Sequence, residues 1–80
     1  MKAYQTEVQV EVRDARPARL TWQGQAYPVQ VVLDRWRYGG RWWLGERPRT
    51  CYLVQAGDLT AELHHEDGEG GRWWLARMVD

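Results

Sequence analysis

Six tryptophans in eighty residues, with no phenylalanine and a single cysteine, set the terms on which this chain can fold. A chain this short hides only about 60% of the surface its unfolded form exposes, so its interior must be dense. Each indole takes ~200 Å² out of water when covered. At ~25 cal/mol per Å² that is at most about 5 kcal/mol per ring. Valine, leucine and alanine alone would struggle to stabilise so small a domain. The first expectation for any tryptophan here is therefore a place in the core. No disulfide can assist, because Cys51 has no partner within the chain, and this usage suits a reducing compartment.

The apolar pattern has period two. Tyr4, Thr6, Val8, Val10 and Val12 alternate with Gln5, Glu7, Gln9, Glu11 and Arg13, which predicts a half-buried strand with a polar outer face. Asp14-Ala15-Arg16-Pro17 interrupts it. Ala18, Leu20 and Trp22 share the next inward face, and Gln23-Gly24 predicts a tight hairpin turn. Tyr27, Val29, Val31 and Leu33 form the return strand; Pro28 cannot donate to a ladder and so marks an edge. Val29, Val32, Leu33 and Trp36 also fit helical spacing. The β-branched pair Val31-Val32 and the stop at Gly39-Gly40 favour a strand ending near Leu33, and the spacing leaves room for one helical turn over 34–37. Further strands are predicted over 50–56, 59–66 and 72–79, with Gly57-Asp58 as a two-residue hairpin connection and a flexible loop over 67–71. Short strands joined by tight turns give one all-β domain over residues 1–80, an antiparallel meander. Exposed edges invite aggregation, so the sheet is expected to curl into a small, partly open barrel.

Charge is balanced, with eleven basic and eleven acidic residues, and gives no global attraction to nucleic acid. Its distribution is uneven. Residues 35–49 hold five arginines and one acid, Glu46, whereas residues 62–69 hold four acids and no base. One end of the molecule is expected to be locally positive and another locally negative; the alternative is an ordinary mixed, solvated surface. No run is apolar enough for a signal peptide or a membrane-spanning helix, which makes the cytoplasm the expected location and a membrane partner unexpected.

Tryptophan doublets occur at Trp42-Trp43 and Trp73-Trp74. On a strand, neighbouring side chains point to opposite faces. Shared parity with Leu44 and Leu75 assigns Trp42 and Trp73 inward, leaving Trp43 and Trp74 outward. Beside them the sequence places Arg35, Arg41 and Arg72. One reading is that these arginines simply roof over half-buried rings by cation–π contact. The other makes Trp43, Trp74, Arg35, Arg41 and Arg72 a binding face. Such a face suits a protein partner, since Trp and Arg dominate interface hot spots, and a homodimer through it is equally open. It also suits single-stranded nucleic acid, whose bases stack on aromatic rings.

Catalytic and metal signatures are weak. Serine is absent, and Cys51 with His64 or His65 makes a nucleophile–base pair only by supposition. His64 and His65 are adjacent on a strand, face opposite ways and cannot jointly chelate an ion. Neither zinc spacing, a calcium loop nor a phosphate-cradling glycine loop is present. A non-catalytic module with no cofactor and no metal is the expectation.

The string Leu20-Thr21-Trp22-Gln23-Gly24-Gln25-Ala26-Tyr27-Pro28-Val29 is followed by Val32-Leu33-Asp34-Arg35-Trp36. With Gly40-Arg41-Trp42-Trp43, Tyr52, Val54 and Gly71-Arg72-Trp73-x-Leu75-x-Arg77-x-x-Asp80, it resembles a small bacterial domain of unknown function. That domain occurs free-standing, or at or beside the C-terminus of the Y-family polymerase homologue of mutagenesis cassettes. The resemblance covers about residues 17–80 and leaves the first strand outside. It carries over no catalytic residue and no ligand. It implies an accessory module near DNA-damage tolerance machinery. Pro28, Cys51, Leu53 and the His64-His65 pair stand where relatives tend to be aromatic or basic, which makes a poorer stacking surface.

Overall fold

The computed structural model describes residues 2–40, 42–68 and 70–79. The described residues form six antiparallel strands in chain order: β1 (Lys2–Arg13), β2 (Arg16–Trp22), β3 (Gln25–Tyr38), β4 (Arg49–Ala56), β5 (Leu59–Glu66) and β6 (Trp73–Val79). They close into a barrel in the order β1-β2-β3-β4-β5-β6. Closure depends on β1, which pairs with β6 over Lys2–Val8 and with β2 over Gln9–Arg13. The barrel is thus closed rather than partly open.

Two hairpins turn through residues with positive φ, as a two-residue turn between twisted strands requires. At Gln23-Gly24 the angles are 51° and 78°. At Asp14-Ala15 they are 54° and 61°, so alanine occupies a left-handed conformation that glycine would take more readily. Pro28 falls where expected. It pairs with Arg19 of β2, and the pairing of β3 with β4 begins only at Val29.

β3 departs from expectation after that point. It does not end near Leu33, and no helical turn forms over 34–37: Asp34, Arg35, Trp36 and Arg37 pair with Leu53, Tyr52, Cys51 and Thr50. Register shifts between Val29 and Val31 and between Val32 and Asp34 explain the change of face. Each extra residue flips the alternation. Val32 therefore packs on the core, while Val31 and Leu33 are exposed. A shift between Glu11 and Val12 accompanies the exposure of Val12 at the end of β1.

The core consists of Val8, Leu20, Tyr52, Val54, Ala61, Leu63, Leu75 and Met78. No tryptophan among the described side chains joins it. Trp22 and Trp73 pack against its margin, Trp36 and Trp74 are half-buried, and Trp43 is exposed. The reason is width. Eight strands enclose an interior just wide enough for side chains to fill. Six enclose less, and aliphatic side chains, Met78 and a single tyrosine, Tyr52, take the space.

The loop between β5 and β6 is closed by Glu66 N–H to Arg72 C=O at 3.0 Å and Gly71 N–H to Gly68 C=O at 3.2 Å. A β-carbon at Gly71 would stand 2.0 Å from the Glu66 carbonyl oxygen. Thermal unfolding should therefore show Gly71→Ala losing roughly 1–3 kcal/mol. Ala15→Gly should gain roughly 0.5–1 kcal/mol, the left-handed cost removed less the entropy glycine adds.

Candidate interaction face

Residues paired across antiparallel strands share a face of the sheet. The register links Trp36 of β3 to Cys51 of β4, Cys51 to His64 of β5, His64 to Trp74 of β6, and Trp74 to Glu7 of β1. Their chain neighbours Tyr52, Leu63 and Leu75 lie in the core. This five-residue row therefore runs across the outside of the barrel.

An ionic and aromatic layer covers the row. The Nε of Arg77 donates to Glu62 Oε1 at 2.6 Å, and His64 Nε2 lies 2.5 Å from Glu62 Oε2. His64 Nδ1 lies 3.4 Å from Arg49 Nη1. The Arg49 guanidinium stands 5.9 Å from the Trp74 ring centre and that of Arg72 5.7 Å. The indole N–H of Trp74 donates to Glu66 Oε1 at 3.1 Å. Arg72 also reaches Glu66 at 3.8 Å and Glu7 at 3.9 Å, both long contacts from an exposed side chain.

Cys51 lies beneath this layer, fully buried. Burial first, and Glu62 second, push its thiol above the ordinary value of 9.0, with Arg49 opposing. A nucleophilic cysteine needs the reverse, a lowered pKa and access to substrate. The register does pair Cys51 with His64, but the ring nitrogens of His64 are engaged by Glu62 and Arg49. His65 faces the other way, stacked on Trp73 with ring centres 4.5 Å apart. Among the described residues, no group of three or more His, Cys, Asp or Glu could hold a metal ion.

The sequence-predicted face is only partly assembled. Trp73 turns inward and Trp74 outward, and Trp74 meets Arg72 as expected. Trp43 is 63% exposed, although not by strand alternation: Trp42–Leu44 form a single 3-10 turn between β3 and β4. Gly39-Gly40 and Pro48 bracket that segment and keep it from extending as a strand. Arg35 does not belong to the Trp74 surface. It pairs with core-facing Tyr52, and its guanidinium lies 6.0 Å from that ring. Arg41 and the side chain of Trp42, expected to be inward, lie outside what the structure describes.

The basic and acidic stretches meet at one end of the barrel rather than occupying separate ends. Asp67 accepts from Arg37 and, at 3.2 Å, from the Thr50 hydroxyl, while its N–H donates to the Pro48 carbonyl at 2.8 Å. This clamp joins the β5–β6 loop to the end of the β3–β4 loop. Within the latter, a β-carbon at Gly40 would lie 3.0 Å from the Arg47 carbonyl oxygen, so its two arms pack closely. Leu44, beside Trp43, is likewise 63% exposed. An open groove between β1 and the β2–β3 turn, lined by residues that include Glu7, Gln9, Trp22 and Gln23, has no convergent set of titratable groups.

A domain family model matches residues 1–80. The chain belongs to the DUF6504 family, a domain of unknown function. The match includes β1, which the sequence resemblance left out; a strand that closes the barrel on both sides is integral to the domain. No curated protein and no solved structure matches this DUF6504 chain. Among its described residues, no helix is long and apolar enough to cross a membrane.

Two outcomes follow from the geometry. Trp43→Ala should change unfolding free energy by no more than about 0.5 kcal/mol, whereas Trp74→Ala, half-buried and hydrogen-bonded, should cost roughly 1–3 kcal/mol. The raised Cys51 pKa predicts a sign as well. The unfolded thiol ionises first, so the stability that Cys51 contributes is intact below pH 9.0 and declines as pH rises through the higher folded value. A pH series of denaturant melts should show that part of the alkaline decline vanish in Cys51→Ala.

Proposed function

We propose that this domain is a non-catalytic protein-interaction module, and that its anchor is the β3–β4 loop. The observation that carries this reading is the adjacent exposure of Trp43 and Leu44, each 63%, on a loop braced by close backbone contacts. Large apolar side chains held out on a pre-organised loop are the kind of group that fills a partner's pocket. Arg72 and Trp74 contribute the rim; Arg35 serves at most a neighbouring surface. The fully buried, high-pKa Cys51 supports the non-catalytic part of the proposal.

Charge favours protein over nucleic acid. Arg37 is bound to Asp67, Arg49 is engaged with His64 and Trp74, and Arg72 is shared between Glu7 and Glu66. Arginines already engaged by these neighbours are less available to phosphates. Single-stranded nucleic acid is the second reading, kept by the exposed Trp43 on a loop that also carries the exposed Arg47, which stacking on unpaired bases would use. The resemblance to modules at or beside a Y-family polymerase homologue makes proteins of DNA-damage tolerance the first partners to test.

A photo-crosslinking residue at position 44, introduced in the native cell, tests the proposal. The expected result is one dominant protein adduct, reproduced with that protein purified and reduced at least tenfold by Trp43→Ala. An adduct indifferent to Trp43→Ala counts against the anchor. Oligonucleotide binding that weakens steeply with salt would instead select the second reading.

A further inference from the structure

We propose that His64 is a pH-sensitive latch that holds Arg49 over the Trp74 ring when neutral and releases it when protonated. The inference concerns regulation of the rim residue Trp74, so its biological meaning rests on the contact face proposed above; its physical content does not.

The argument begins with what each neighbour of the imidazole can do. Glu62 is a carboxylate already held by Arg77, and it can only accept from His64 Nε2 at 2.5 Å. Arg49 is a guanidinium, and it can only donate to Nδ1 at 3.4 Å. One protonation state satisfies both: a neutral ring with its hydrogen on Nε2 and a lone pair on Nδ1. Little water is at hand to substitute, since the His64 side chain is 15% exposed and that of Glu62 12%.

Protonation keeps the Glu62 contact and strengthens it by charge. At the other nitrogen it sets N–H against N–H and cation against cation. The groups around the ring do not relieve this conflict. On its own strand stand Glu62, and Glu66 two residues on, which is engaged by Trp74 and Arg72. From β4 come Arg49 and Cys51, the latter buried as a neutral thiol. From β6 come Trp74, which cannot accept at its ring nitrogen, and Arg77, bound to Glu62. From β1, Glu7 lies one strand further, beside Trp74 and in contact with Arg72. Arg49 is the member that yields, because its contact to Nδ1 is long, at 3.4 Å, while Glu62 holds the other ring nitrogen at 2.5 Å. Its departure uncovers indole surface that it shields at 5.9 Å, while Arg72 and Glu66 keep Trp74 in place.

Nuclear magnetic resonance on the isolated domain tests this. The six indole N–H resonances are followed from pH 8 to pH 5, with Trp74 assigned from Trp74→Phe, together with the His64 ring and the Arg49 side-chain resonances. The expected result is that Trp74, Arg49 and His64 move along one shared titration curve. His64→Gln, which stays neutral and can still donate to Glu62, should abolish the Trp74 response; His65→Gln should retain it. Arg49→Leu should leave His64 titrating while Trp74 no longer follows. Backbone amide spectra establish that each variant is folded. The proposal is overturned if Trp74 responds to pH equally in His64→Gln, or if His64 titrates in the native protein without moving Arg49 or Trp74. No partner is needed for this measurement, so its failure leaves the contact face standing, and failure of the crosslink leaves the latch standing.

Discussion

Closure of the barrel by β1 is the constraint on which the other features depend. One strand pairs with two neighbours by giving β6 its first half and β2 its second. Without that double pairing Leu20 of β2 and Leu75 of β6 would lie at opposite edges of one open five-stranded sheet. A closed ring of six strands encloses an interior that leucine, valine and alanine fill together with Tyr52 and Met78. The indoles among the described side chains lie around it. Trp22 and Trp73 complete the margin of the core, and Trp36 and Trp74 lie across the outside. Small size and tryptophan content are thus linked in a different way from simple core filling. Rings that are too large for the interior add covered surface outside it, where a thin sheet would otherwise face water.

That outer covering changes what the surface can do. The solvent face of an antiparallel sheet is ordinarily polar and wet. Here a carboxylate, Glu62, is buried on it between Arg77 and His64, and a cysteine lies beneath. Removing one member of such a group leaves another charge without its partner, which costs far more than losing an exposed ion pair. The layer is therefore structural first, and any binding role for Trp74 is constrained by its duty to the fold. Trp43 differs in exposure, at 63% against the half-buried Trp74. Its exposure beside Leu44 leaves apolar surface in water, and this contrast supports the proposed anchor on the loop rather than on the sheet.

Much of the fold was legible because alternation is a direct imprint of pleating. β1, β2, β4 and β5, and the hairpins at Gln23-Gly24 and Gly57-Asp58, follow from period two and turn chemistry alone. The failures have physical causes. A single extra residue near Gln30 and another at Leu33 reverse the faces of β3, and no local pattern announces a bulge before its partner strand is known. Alternation at the Trp42-Trp43 doublet holds only on a strand; the glycines before it and Pro48 after it make the segment a loop. Separation of the charged stretches was inferred from chain distance, whereas the β4–β5 register brings Arg49 opposite Glu66.

The outer network illustrates how much a sequence conceals even when its residues are in view. Glu62, His64 and Glu66 sit at alternate positions of β5, so one face carrying acid, imidazole and acid could be read directly. That face by itself describes an exposed polar strand. Its meaning changes with the cations on both sides: Arg49 and Arg77 lie thirteen residues upstream and fifteen downstream of Glu62. Only the register sets Arg77 opposite Glu62. Once it does, the carboxylate can be buried, and His64 is left between an acidic partner at one ring nitrogen and a guanidinium at the other.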